Sequence, residues 1–289
     1  MTWSLHDYFE RVSQHETVLT VLLIDQKKAC SFNLDGADLV YLVIVNKAER
    51  NWETNYYLHG DIKVVEHRLH QWHFEKLVMQ IGNHMLFSML QNAQIISDRL
   101  AYWENNRDRL TKLPYPIQKK FVCMEYSSFL RYYFEAKEFL QRGYALEAYQ
   151  AVLNALNSWS RLVVYEAKQH PGPFLWNQVK QIDSTVYKLY EELVESSESL
   201  EKRIELLLLP IEFHIMSKMK DATAHVTDLM KTRNGPWSFR ELLDHPEIGL
   251  GEEELTLLLD KMVKRSFIRV IPLKQVADVL VEQGFVAHE

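Results

Sequence analysis

The 289-residue sequence predicts an α+β multidomain protein in three parts: a mixed sheet with helices, a four-helix-type bundle, and a small winged-helix-like C-terminal domain. Three observations carry this expectation. Apolar, β-branched runs of strand length are confined to about residues 1–115. Long stretches with a helical period and short breaks fill 116–234. Residues 235–289 then read as helix, helix, strand. The expected domains are accordingly 1–115, 116–234 and 235–289.

In chain order, Ser4 followed by Asp7 is a capping-box pattern opening a short helix with Leu5, Tyr8, Phe9 and Val12 on one face. LTVLLID (19–25) and DLVYLVIV (38–45) are near-continuous apolar runs, as for strands buried on both faces. TNYYLH and IKVVEH flank the HGD turn (59–61) as a hairpin. A helix is expected from about Leu69, a short strand at QIIS (94–97), and another helix over 99–112. LPYP (113–116) punctuates the chain, because closely spaced prolines disfavour a continuing helix.

Beyond it, residues 117–142 form one helical pattern stopped by Gly143, and 144–169 a second stopped by HPGP (170–173). A third helix begins near Trp176 and breaks at Asp183, a good N-cap for STVYKLYEELVES. The fourth runs from about Leu200 toward Thr232, with Pro210 forcing a kink or break. In the last part, Ser238 with Glu241 caps FRELLDH, a second helix spans 252–264, and SFIRVI (266–271) is strand-like. Residues 274–283 read as a further helix ended by Gly284, so the wing itself is not evident.

Composition narrows the chemistry. Two cysteines, Cys30 and Cys123, make neither a disulfide framework nor a four-cysteine zinc site. Nine glycines, scattered, contain neither G-x-G-x-x-G nor G-x-x-x-x-G-K-[ST]. The net charge is −6, and residues 235–289 carry six Lys/Arg against ten Asp/Glu, a balance that opposes polyanion binding. The longest largely apolar runs, Val18–Ile24 and Leu206–Ile211, fall far short of the ~20 residues of a membrane span. The N-terminus lacks a signal-peptide core, so a cytoplasmic protein without membrane attachment is expected.

The three-part order, together with WNQVKQIDSTVYKLYEELVESSESLEKRIELLLLPIEF (176–213), resembles a bacterial family of nucleotidyltransferase-like proteins. These join a degenerate nucleotidyltransferase domain, a helical substrate-binding-like domain and a C-terminal helix-turn-helix. The resemblance implies a site at the end of the first strand. Active superfamily members carry Gly-Ser there, then Asp-hydrophobic-Asp on the next strand and a third carboxylate on a later one. The Gly-Ser turn admits phosphates, and the carboxylates hold two Mg²⁺ ions for in-line displacement. In this chain Asp25-Gln26 stands in place of Gly-Ser, and Asp38-Leu39-Val40 in place of the paired carboxylates. Glu66 falls near the third.

Asp38 and Glu66 are therefore the catalytic candidates. Asp25, Gln26, Asp38, Arg131 and Arg161 are the candidate ligand-binding residues, the two arginines as phosphate partners from the bundle. Asp25 and Asp38 equally suit turn and strand-opening carboxylates bonded to nearby N–H groups, and the arginines suit ion pairs with glutamates. His67, His70 and His73 recur every three residues where a helix was expected to begin, a spacing that puts neighbours on one helix face for metal ligation or a polar surface. Three functions follow: a catalytically degenerate protein binding a nucleotide or small ligand between its first two domains; an active Mg²⁺-dependent nucleotidyltransferase with an atypical site; or a ligand-sensing transcription regulator. For the C-terminal module, a protein partner or intramolecular docking is expected ahead of DNA.

Overall fold

The structure, a computed structural model, describes residues 4–25, 36–78, 86, 89–90, 93–111, 113, 115–277 and 280–288. Its contacts divide the chain into two units, one of residues 1–114 with 169–174 and the other of 115–168 with 175–289.

In the first unit, helix α1 (Leu5–Ser13) opens with the expected capping box: Ser4 Oγ accepts from the Asp7 N–H, and the Asp7 carboxylate accepts from the Ser4 N–H. Strands β1 (Val18–Asp25), β2 (Leu39–Val45), β3 (Trp52–His59), β4 (Ile62–His70) and β5 (Gln94–Asp98) form one mixed sheet in the order β3-β4-β2-β1-β5. The β2–β4 pair is parallel and the others are antiparallel. The near-continuous apolar character of β1 and β2 is explained by their central places, covered on both faces. One face packs Leu22, Ile24, Val40, Leu42, Ile44, Val65 and Leu69 against Phe74 of helix α2 (Gln71–Val78) and Trp103 of helix α3 (Tyr102–Thr111). The other packs Val21, Tyr41, Val43 and Val64 beneath α1, whose Phe9 stacks on Tyr41 with ring centroids 3.5 Å apart.

The helix expected from about Leu69 begins instead at Gln71, and this changes the histidine reading. His67 and His70 lie on β4, three residues apart and hence on opposite sheet faces, while only His73 is helical. His67 Nδ1 lies 3.0 Å from Thr54 Oγ1, and His70 Nε2 lies 2.9 Å from the Asn46 carbonyl. In-register pairing along β2 and β3 extends β4 beyond the point where helical periodicity started.

The second unit is built on two long antiparallel helices, α4 (Tyr115–Gln141) and α5 (Ala145–Glu166). They are joined through Gly143 at φ 79°, where the Tyr144 N–H reaches the Phe139 carbonyl and the Gly143 N–H that of Leu140. This is a Schellman closure, which needs the left-handed conformation glycine supplies freely. Helices α6 (Leu175–Ile182) and α7 (Ser184–Glu195) break where expected, with Asp183 Oδ1 accepting from the Thr185 N–H at 2.8 Å.

Helix α8 (Leu200–Ala222) departs from expectation. It runs through Pro210, and the break comes at Thr223, before the short helix α9 (Ala224–Met230). Proline deprives the helix of one bond, but burial of Ile204, Leu207, Ile211 and Ile215 on either side keeps the segment helical without a break.

The C-terminal part corrects a second expectation. After β6 (Trp237–Ser238), α10 (Phe239–Leu243) and α11 (Glu252–Lys264), residues 274–277 and 280–283, expected to be helical, lie in strands. Strands β7 (Ile268–Ala277) and β8 (Leu280–Ala287) form a hairpin in a three-stranded sheet ordered β6-β8-β7. That hairpin is the wing. Gly284 pairs with both Ser238 and Ile271, and a Cβ there would sit 2.7 Å from Pro236 Cβ. The glycine thus marks a close strand approach rather than a helix end, and long-range pairing overrides a local helical pattern.

Candidate functional site

The sheet face addressed by the nucleotidyltransferase motif starts at Asp38. Its N–H donates to the Lys63 carbonyl at 2.8 Å, and its Oδ2 accepts from the Lys63 N–H at 2.9 Å. Asp38 thus clasps the opening of the parallel β2–β4 pair. Side chains alternate along β2, so Val40, Leu42 and Ile44 share one face, and all three are buried in its apolar core.

Register places Glu66 elsewhere. It pairs with Tyr41, so it lies on the face covered by α1, while Val65 sits beside Val40. In the structure Asp38 and Glu66 have separate partners: Asp38 holds the Lys63 backbone, whereas Glu66 lies one residue of register from the Val40 face, on the opposite side of the sheet. Glu66 is 1% exposed and already engaged. Tyr57 Oη donates to its Oε2 at 3.0 Å, and Arg68 Nε and Nη2 donate to Oε1 at 3.1 and 2.9 Å. Burial, with the neighbouring Tyr8 and Glu66, pushes the Tyr57 phenol well above its usual value, so it remains a donor.

Asp25 closes β1, its backbone paired with Leu39. Gln26 lies outside the described residues. A two-Mg²⁺ arrangement requires carboxylates converging from one face, and the described donor set does not fit it. Val40 replaces the second carboxylate, Glu66 points into the opposite core, and among the described residues no cluster of three His, Cys, Asp or Glu side chains is placed to hold a metal.

The two arginines are placed in the helical unit, each against glutamate. Arg161 on α5 donates from Nε to Glu125 Oε1 on α4 at 2.7 Å, and from Nη2 to Ser158 Oγ at 3.2 Å. The Glu125 side chain is only 5% exposed, so burial pushes its carboxyl up while Arg161 pulls it down. Arg131 bridges Glu135 on its own helix and Glu254 in the first turn of α11, the latter at 2.9 Å.

Several features of this unit were not legible in the chain. His214 stacks on Trp159, with ring centroids 4.1 Å apart. The Nε1 of Trp159 and Nε2 of His214 are both buried without a hydrogen-bond partner. Burial, reinforced by Lys218, lowers the His214 imidazole to about 4. Neither Trp159, one of many aromatics in this part of the chain, nor His214 carries a sequence signal, because the pairing is made between α5 and α8. A groove of about 390 Å³ also opens among Tyr115, Gln118, Lys119, Glu166, Lys218 and Asp221. Within it Lys218 Nζ donates to both Glu166 carboxylate oxygens at 2.9–3.0 Å.

The winged helix shows its chemistry on α11. Glu252, Glu253 and Thr256 are exposed on it, Asp260 is partly so, and Lys264 Nζ pairs back to Asp260 at 2.9 Å. Lys261 lies over the Phe134 ring, 4.2 Å from its centroid. Arg269 is exposed on the wing.

Comparison with known proteins agrees with this architecture. A family model described as nucleotidyltransferase-like matches residues 1–119, one described as a YgxA-like substrate binding domain matches 119–218, and one described as a helix-turn-helix domain matches 224–277. The chain is 32% identical over 283 residues to an uncharacterized protein, YgxA, of Bacillus subtilis (strain 168), covering 96% of this chain and 94% of that one. It also shares the fold of a nucleotidyltransferase-like protein from Exiguobacterium sibiricum 255-15, whose crystal structure matches with a TM-score of 0.82 over 96% of each chain at 23% identity. Among the described residues no helix is long and apolar enough to cross a membrane. With 32% identity along nearly the whole length of both chains, this chain belongs to the family of nucleotidyltransferase-like proteins that includes YgxA.

Proposed function

We propose that this protein is a nucleotidyltransferase-fold ligand binder without nucleotidyl-transfer chemistry. The observation that supports the reading best is the register of β2 and β4: Val40, standing where the second carboxylate would be, is buried in one apolar core, while Glu66 pairs with Tyr41 on the opposite face. A transfer site needs carboxylates that converge on one phosphate, whereas here Asp38 closes a strand pair. Fold alone does not carry the reaction. The ligand-binding part of the proposal rests on the helical unit, where the Tyr115–Lys218 groove offers an aromatic ring, two ammonium groups and two carboxylates to a small polar molecule.

The test is a thermal-shift series with nucleoside triphosphates and nucleosides, with and without Mg²⁺, beside a turnover assay that follows pyrophosphate release. Stabilisation that persists without Mg²⁺ and in Asp38→Ala, with no pyrophosphate, is the expected result. Mg²⁺-dependent turnover abolished by Asp38→Ala would refute the proposal.

A regulator reading has one specific observation in its favour, the complete wing with Arg269 and Lys274 on it. Against it stands the outer side of α11, where Glu252 and Glu253 occupy the first turn that a DNA phosphate would approach. Duplex binding that falls steeply with salt would favour the regulator.

A further inference from the structure

Among the described residues no strand pairs with the outer edge of β3, and the ladder shows which of its backbone groups face outward. The His70 N–H donates to the Asn51 carbonyl at 3.0 Å, so 51–70 is a hydrogen-bonded pair of the β3–β4 ladder. Antiparallel pairs alternate, and the register runs without a shift to His59–Ile62, so the odd residues Glu53, Asn55, Tyr57 and His59 bond to β4. The even residues Trp52, Thr54, Tyr56 and Leu58 direct their N–H and C=O groups away from the sheet.

Edge strands of natural proteins are usually guarded by proline, lysine, a bulge or a covering element. Among the described residues β3 has none of these, and Glu53, opposite Arg68, is its one carboxylate. Its sequence, WETNYYLH, contains neither residue, its register is unbroken, and it is uncovered: Trp52 is 47% exposed, Tyr56 68% and Leu58 71%.

We propose that β3 is the dimerisation edge of this protein, pairing antiparallel with β3 of a second copy about a two-fold axis at Tyr56. The strand is self-complementary in that register. The outward groups of Tyr56 meet their own symmetry mates, and those of Thr54 meet those of Leu58. Side chains at even positions share one sheet face, so Tyr56 and Leu58 of both copies form one apolar strip. On the other face Glu53 of each copy comes opposite His59 of the other, a carboxylate against an imidazole at both ends. Shifting the pairing by two residues in sum places Glu53 opposite Tyr57, whose hydroxyl is already committed to Glu66, so charge complementarity selects the Tyr56-centred register. The result is a ten-stranded sheet from two five-stranded ones.

The experiment is sedimentation equilibrium of the full chain over a range of concentrations. The wild-type chain is expected to dimerise. Tyr56→Pro removes an outward N–H without touching the β4 ladder, a placement that edge strands tolerate. It is expected to be monomeric with an unchanged far-ultraviolet circular dichroism spectrum and a Tm that no longer depends on protein concentration. Leu58→Lys, which adds a guard charge and no backbone constraint, should do the same. Glu53→Lys should raise the dimer dissociation constant by about tenfold, since two symmetric pairs change together, and Glu53→Lys with His59→Glu should restore it. A wild-type chain monomeric at every concentration, or folded Tyr56→Pro and Leu58→Lys variants that both remain dimeric, overturns the proposal. Failure of the charge swap to rescue overturns the register.

Discussion

Arg161→Met tests the energetics of the helical unit most directly. The substitution keeps the aliphatic stem and removes the guanidinium, leaving Glu125 nearly buried with no opposite charge. Breaking a buried ion pair from one side costs about 3–5 kcal/mol, because the remaining charge must be held without solvent or partner. In a unit of this size that lowers Tm by roughly 10 °C. The loss depends on pH. In the variant, the folded Glu125 carboxyl is raised further and takes a proton, while the unfolded one ionises near its ordinary value of about 4.3. The penalty is therefore small in mild acid and grows as pH rises toward neutrality, whereas a simple packing defect would not change.

Glu125→Gln should cost less, since the Arg161 side chain is 26% exposed and reaches water. Glu125→Leu with Arg161→Met should recover most of the loss, because an apolar pair replaces a desolvated ionic one. Urea melts at two pH values, across the two singles and the double, complete the cycle. A Tm for Arg161→Met within 2–3 °C of wild type, about 1 kcal/mol or less, would show that the pair is not a structural element and would return Arg161 to the pool of ligand contacts.

Three further outcomes follow from the same geometry. Between pH 6.5 and about 4 the unfolded chain protonates His214 while the folded chain resists, so stability falls as pH drops through that window, by up to about 3 kcal/mol. His214→Phe should keep the stack on Trp159 and flatten this acid limb in pH-dependent unfolding; an unchanged limb refutes the assignment. Ser238→Ala removes the side chain that accepts from the Glu241 N–H and should cost about 1 kcal/mol, read as a Tm drop. Gly284→Ala forces a methyl against Pro236 and should cost about 1–3 kcal/mol; an unaltered Tm would contradict the wing packing.

Particular residues show how far the chain itself reached. Ser4–Asp7, Asp183 and Ser238–Glu241 announced three helix starts correctly, because capping is local chemistry among residues within one turn. The apolar runs at 19–25 and 38–45 announced buried strands for the same reason, and Gly143 a helix end. Of the kink or break expected at Pro210, the break does not occur, because the buried face of α8 gains contacts that only the bundle supplies. The segment 274–283 misled because its residues satisfy helical spacing and strand pairing alike, and β6 decides between them from nearly forty residues upstream. The candidate site was legible as to residues and not as to arrangement. Val40 could be read as a missing carboxylate, but Glu66 sits one register step from the face where it was sought.

The sequence by itself determined the family, the order of sheet, helical bundle and winged helix, and the residues that cap them, since all of these rest on short-range patterns. The tertiary structure alone decided which carboxylates meet, that Arg161 is spent on Glu125 and Arg131 on Glu254, that a wing exists, and that the outer edge of β3 is unpaired among the described residues. Those outcomes turn on strand register and on side chains brought together from distant segments. A side chain changes faces with each single step along a strand, and no local pattern records which step was taken.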